Sequence, residues 1–162
     1  MVDSRYCLRR FRSADQLVAR EIYVDAIESQ AGVLYSSEQI AAWKVLAWLP
    51  GVLDRTFSEG HGWVMTSEDQ VEAFAMRHPA DRLALLYCRG RSSRQGLATA
   101  LLQQVEQEAK ADGLKQLVAD ASLISQPLLL RHGWIMRCSE SIEIGGVPFV
   151  RYLMSKDLQV IS

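Results

Sequence analysis

The stretch Leu83-Ala84-Leu85-Leu86-Tyr87-Cys88, Arg89-Gly90-Arg91-Ser92, Ser93-Arg94-Gln95-Gly96-Leu97-Ala98-Thr99-Ala100-Leu101-Leu102 decides the fold. Residues 83–88 are apolar on both faces, the mark of a central buried strand. A polar loop with Arg89 and Arg91 follows. Leu97, Leu101, Leu102, Val105 and Ala109 then recur at helical spacing, predicting a helix over 92–113 that stops at Gly113. The first amides of a helix lack internal partners, and its dipole is positive there. Gly96 and the small Ala98 and Ala100 would let an anion approach those amides. Residues Arg94, Gln95, Gly96, Leu97, Ala98 and Thr99 therefore form a candidate pyrophosphate site, with Arg89, Arg91 and Arg94 adding positive charge. The spacing fits neither G-x-x-x-x-G-K-[ST] nor G-x-G-x-x-G, which argues against a P-loop or a dinucleotide fingerprint.

Working outward, residues 5–11 alternate as a strand. Ser13-Ala14-Asp15-Gln16 has capping-box form ahead of a helix reaching Gln30 and ended by Gly32. Ser36-Ser37-Glu38-Gln39 is a second box; its helix carries Ile40, Trp43, Ala47 and Trp48 to Pro50-Gly51, with both tryptophans expected in the core. Residues 52–59 read as a helical turn, and 62–66 and 71–76 as strands. Beyond the central motif come a strand at 117–119, a short helix at 123–131, and strands at 134–138 and 147–154 around Gly145-Gly146. The order predicts an α/β fold: one mixed, mostly antiparallel central sheet flanked by helices. No linker or repeat divides the chain, so 1–162 is expected to be a single domain.

Composition narrows the function classes. Of 162 residues, 49% are hydrophobic and 23% charged, with a formal net charge of -1, which suits a folded globular domain and argues against a nucleic-acid partner. No apolar run is long enough for a membrane helix, and residues 1–12 lack a signal-peptide core. Cys7, Cys88 and Cys138 stand far apart, without a metal pair or disulfide framework, so a cytoplasmic protein without a metal is expected. Monomer and homodimer are both open.

The motifs now carry a resemblance. Ser93-Arg94-Gln95-Gly96-Leu97-Ala98 resembles the Q/R-x-x-G-x-G/A signature of the GNAT superfamily of acetyl-CoA-dependent N-acetyltransferases, and Leu86-Tyr87-Cys88 resembles its L-Y-V strand. Leu128-Leu129-Leu130-Arg131-His132-Gly133-Trp134 is similar to its F-Y-x-K-x-G-F segment, and residues 151–158 to its closing strand. Tyr35-Ser36-Ser37-Glu38-Gln39 with Ala42-Trp43 resembles the Y-S-x-E-Q…A-W helix of one bacterial branch. The resemblance implies acetyl transfer from acetyl-CoA to an amine, in a ternary complex, with no acceptor indicated. It implies that the main chain of Leu86, Tyr87 and Cys88 receives the acyl carbonyl and pantetheine arm. It also implies that the loop bearing Tyr35, with Trp43, walls the acceptor cleft.

Two positions depart from the pattern. Ser93 stands where Gln or Arg is usual. Leu129 stands where many members carry a tyrosine general acid, and leucine cannot donate a proton. A non-catalytic CoA-binding module on the same fold is therefore the rival reading. For a general base, a hairpin turning at Pro79-Ala80 would pair Tyr87 with Glu72 and Cys88 with Val71, making Glu72 the candidate. For the missing acid, Ser125 is the candidate proton relay, one helical turn before Leu129, with Ser122 beside it. The competing role for Ser125 is a helix cap.

Overall fold

Period-two alternation builds the sheets. The computed structural model describes residues 2–158; Met1 and residues 159–162 of the expected 1–162 domain lie outside the described residues. Strands β1 (Tyr6–Arg10), β2 (His61–Ser67), β3 (Gln70–Arg77) and β4 (Leu83–Cys88) form an antiparallel sheet in that order. Strands β5 (Gln116–Ala121), β6 (Ile135–Ile144) and β7 (Val147–Asp157) form a second, in the order β5-β7-β6. The expected single sheet is thus parted between β4 and β5. A parallel bridge between Arg82 and Val118 joins the halves, beside Val118 N donating to Asp81 O at 2.9 Å. Arg82 and Asp120 clamp this closed end at 2.6 Å.

Helices cover both faces. Helices α1 (Gln16–Gln30), α2 (Ser37–Lys44) and α3 (Asp54–Glu59) enclose a core with Phe74, Met76 and Leu85. Helices α4 (Leu97–Ala111) and α5 (Ser125–Arg131) enclose another with Ala73, Ala75 and Leu83. Phe74 and Met76 face one core while Ala73 and Ala75 face the other, as a strand buried on both sides requires. The α4 stripe of Leu97, Leu101, Leu102, Val105 and Ala109 is buried as its spacing predicts. Each such leucine contributes about 1.5–3 kcal/mol by leaving water.

Local differences from expectation have local causes. The second capping box forms: Gln39 N donates to Ser36 Oγ at 3.1 Å and Ser36 N to Gln39 Oε1 at 2.9 Å. The first does not. Asp15 accepts from Arg12 N at 2.7 Å and from both Arg9 Nη atoms, so a single 3-10 turn precedes α1. After Lys44 the chain tightens into a 3-10 turn, which rotates later residues off the helical stripe. Trp43 is accordingly 9% exposed while Trp48, expected in the core, is 52% exposed.

The expected β3–β4 register is displaced by two residues. Tyr87 lies opposite Phe74 and Cys88 opposite Ala73. The connection is longer than a two-residue turn: His78 N donates to Arg82 O, and Arg82 N to Pro79 O, each at 3.0 Å. An irregularity between Met76 and Arg77 adds to the shift. Arg77 itself is 1% exposed and bonds Ala80 O, Glu108 and Asp112, joining the β3–β4 connection to α4. Removing one partner of a buried ion pair strands the others. Arg77→Ala should therefore lower unfolding free energy by about 3–5 kcal/mol in urea titration. A loss below about 1 kcal/mol, the surface-pair range, would show that the network is solvent-relaxed.

Candidate active site

The loop before α4, the candidate phosphate site, is shaped before the helix begins. Residues Gly90–Ser92 form a 3-10 turn, and Arg94 (φ 62°) and Gly96 (φ 82°) adopt left-handed backbone, so α4 starts at Leu97 and not at 92. The left-handed conformation of Gly96 is one that a Cβ disfavours. The first helical bond from this turn is Ala100 N to Gly96 O at 3.0 Å. The amides of Leu97, Ala98 and Thr99 therefore lack helical partners at the positive end of a 15-residue helix. Loop amides in mixed left- and right-handed backbone add an anion-binding nest. Arg94, Gly96, Leu97, Ala98 and Thr99 line the adjoining cavity, whereas Gln95 is exposed and does not. Ser93 Oγ donates to Gly90 O at 2.8 Å, so the departing serine braces the loop.

The same loop is fastened from three sides. Gly90 N donates to Asp25 at 2.8 Å, and a Cβ at Gly90 would lie 2.6 Å from Ser29 Cβ. Gln30 Nε2 donates to Cys88 O at 2.7 Å. Glu72 accepts from Arg91 Nη2 at 2.5 Å, Arg91 Nε at 2.8 Å and Ser92 Oγ at 2.6 Å. The Arg91 bonds hold the Glu72 carboxyl below its ordinary range, against the opposing effect of burial. Two expectations change. Arg91 is committed to Glu72, and Arg89 donates to Val71 O, leaving Arg94 as the loop arginine on the cavity. Glu72 is 3% exposed, absent from the cavity wall and already accepting three hydrogen bonds, so the geometry makes it a loop anchor and a poor proton acceptor.

The parted edge of β4 supplies main-chain partners. Arg89 N donates to Glu72 O at 2.8 Å, which sets the alternation of the antiparallel ladder. Tyr87 and Leu85 therefore pair toward β3, while the polar groups of Leu86 and Cys88 turn toward the gap. Gln30 takes Cys88 O, leaving Leu86 and the Cys88 N–H for a ligand. Burial, with the charges of Glu72 and Asp25, pushes the Cys88 thiol up to about 12. It stays protonated at neutral pH and is not an activated nucleophile.

Across the gap lies a cavity of about 540 Å³. Tyr35, Trp43 and Phe149 form an aromatic cluster on its wall, with Tyr35–Trp43 centroids 5.1 Å apart. Tyr35 Oη accepts from Leu123 N at 2.9 Å, and burial raises its phenol pKa. Ile142 and Ile144 complete the apolar side. Ser125 and the buried Leu129 also line the cavity, and the turn that carries Ser125 touches Tyr35 through Leu123 N. Ser125 Oγ accepts from Ser122 N at 2.9 Å, while Ser122 Oγ accepts from Ser125 N at 3.1 Å and Ile124 N at 3.2 Å. Ser125 is thus a reciprocal cap that also faces the cavity. Sequence reasoning missed Gln30, Phe149, Arg131 and Arg151, all on the wall. Phe149 was accessible through strand alternation; the others depend on packing between distant segments.

Comparison with known proteins places the fold in a family. The acetyltransferase (GNAT) domain model matches residues 34–156, and the chain belongs to that family of acyltransferases. A GCN5-related N-acetyltransferase from Rhodopseudomonas palustris superposes with a TM-score of 0.89 at 25% identity, over 97% of this chain and 98% of the other. The PaiA N-acetyltransferase of Thermoplasma acidophilum, solved with coenzyme A, shares the fold at a TM-score of 0.71 and 15% identity, covering 94% and 98% of the two chains. The acetyltransferase YncA of Salmonella typhimurium, solved with acetyl-CoA, does so at 0.67 and 16%, covering 96% and 95%. None of the curated protein sequences compared matches. Among the described residues no helix is long and apolar enough to cross a membrane.

Two outcomes test the site. Gly96→Glu should weaken CoA binding more than tenfold by calorimetry in a folded variant, because it adds strain, bulk and like charge at the helix start; unchanged affinity would move the phosphate elsewhere. Glu72, with its lowered pKa, stabilises fully above the ordinary value of 4.5, and that contribution is lost as pH falls through the folded value. Glu72→Gln should cost about 1–3 kcal/mol at neutral pH and flatten the acid-side loss of stability. It should leave the pH dependence of turnover unaltered; loss of the acid-side limb of that profile would restore Glu72 as the base.

Proposed function

We propose that this protein transfers an acetyl group from acetyl-CoA to an amine by direct attack in a ternary complex. The observation that carries this reading is the cavity between β4 and β5. It joins the unpaired amides of Leu86 and Cys88 and the free amides of α4 to an aromatic wall on the far side. The residues fit the cofactor: amides at 94–99 for the pyrophosphate, and β4 main chain for the pantetheine amides and acyl carbonyl. An acceptor from the Tyr35–Trp43 side would meet that carbonyl across the gap.

The amine nitrogen bonds to the acetyl carbon, the carbon–sulfur bond breaks, the nitrogen loses a proton and the sulfur gains one. Water takes the amine proton, since Glu72 is engaged elsewhere. Holding both substrates in line supplies much of the acceleration. For the sulfur, Ser125 is the proton relay: its hydroxyl gives its hydrogen to the departing sulfur as it takes one from cavity water. Ser122 Oγ accepts two N–H bonds, so its hydrogen turns to Ser125 Oγ, 3.2 Å away. Ser125 also accepts from Ser122 N, which leaves its own hydrogen for the cavity. Three free cysteines suit a reducing, cytoplasmic setting.

Thiol release from acetyl-CoA over an amine panel tests the reading; turnover with no amine, in protein that binds acetyl-CoA, would leave a binding module. Ser125→Ala should lower turnover by about 10- to 100-fold, near the low end of proton-transfer catalysis, at temperatures where the variant is fully folded. A loss of melting temperature alone would reduce Ser125 to a cap. Cys88→Ala should keep most activity, and its complete loss with CoA binding intact would indicate covalent catalysis.

A further inference from the structure

Among the described residues with charged side chains on the cavity wall, Arg94, Arg131 and Arg151 are basic and only Asp120 is acidic. Asp120 is already held by Arg82 at 2.6 Å. Arg94 and Arg131 belong to the loop before α4 and to the end of α5, the cofactor side. Arg151 stands apart on β7, in the same face as Phe149 by strand alternation, opposite Glu140 on β6. Phe149 in turn lies opposite Ile142. Arg151 is therefore one step along the sheet from the aromatic and aliphatic acceptor wall.

Its guanidinium is poorly matched within the protein. Nε is buried and has no hydrogen-bond partner among the described residues. Nε lies 3.4 Å from Glu140 and Nη1 lies 3.9 Å from Asp120, so both carboxylates balance its charge without taking its donors. Arg77 Nε is likewise buried without a partner, but its Nη groups bond a carbonyl and two carboxylates, whereas no side-chain donor of Arg151 makes a hydrogen bond among the described residues. A planar fork of N–H groups at a cavity wall is suited to a carboxylate.

We infer that Arg151 binds the carboxylate of the acceptor, and that the acceptor is an α-amino acid with an apolar side chain. This rests on the acetyl-transfer reading for its chemistry, but not for its recognition. The apolar side chain would lie against Tyr35, Phe149 and Ile142, and the amine would face the β4 edge. A polyamine fits poorly, because the wall offers three arginines and no unpaired carboxylate.

The test is calorimetric titration of CoA-saturated protein with L-phenylalanine, L-phenylalaninamide and 2-phenylethylamine. The acid should bind at least tenfold more tightly than the amide or amine, as a charge-assisted bond is worth about ten- to hundredfold. Arg151→Gln should abolish that preference with CoA affinity unchanged, and Arg151→Lys should recover part of it. Equal binding of acid and amide, no binding of the acid, or a preference that survives in Arg151→Gln would overturn the inference. If Arg151→Gln does not fold, the unmodified protein's ranking of acid against amide decides. Tight binding of the acid without acetyl transfer would contradict the proposed reaction while leaving this recognition intact.

Discussion

Everything at the active site depends on β4 and β5 parting after one bridge. A sheet edge inside a protein normally pairs, because a buried N–H or C=O without a partner costs about 1–3 kcal/mol. Here Arg82–Val118 pairing and the Arg82–Asp120 ion pair close one end, and the strands then diverge. The main-chain groups of Leu86 and the Cys88 N–H are left facing a cavity, and a ligand can satisfy them as a neighbouring strand would. The same divergence gives the cavity two sides, with the α4 terminus on one and the aromatic wall on the other.

A cavity bordered by free amides is useful only if those amides stay in place. Much of the polar structure serves that end. Asp25 and Gln30 reach from α1 to Gly90 and Cys88, and Glu72 reaches from β3 to Arg91 and Ser92. Gly90 lies so close to Ser29 that no side chain fits between them. The donors are thus fixed before a ligand arrives, which avoids paying ordering entropy on binding. The acidic residue that best resembles a base in the sequence is in this account part of that scaffold.

Local patterns in the sequence were read correctly where one segment determines its own structure. The α4 stripe and the Ser36–Gln39 cap each needed no distant partner; the run 83–88 is a strand as expected but not the central buried one, since β4 is the edge of its sheet and β3 is the strand buried on both faces. Gly96 was legible as a small residue at an anion site, but its left-handed backbone, which moves the helix start to Leu97, was not. Register was harder, since it turned on the length of the 78–82 connection and on an irregularity beside Arg77. Burying Arg77 there required Glu108 and Asp112 from α4, about thirty residues away in sequence. Trp48 failed for a related reason: periodicity assumes one helix geometry, and the chain changed it after Lys44. Gln30 and Arg151 had no signature, because a last helical residue or a strand arginine acquires meaning only from what packs against it.

Amide hydrogen exchange with and without acetyl-CoA tests the central claim most directly, since it reads the main-chain donors themselves. The account predicts that bound acetyl-CoA slows exchange at Leu86 and Cys88 and at 97–99, the amides without partners in the free protein. Unchanged exchange at those amides in protein saturated with acetyl-CoA would contradict it, and would mean that the gap between β4 and β5 is not where the cofactor binds.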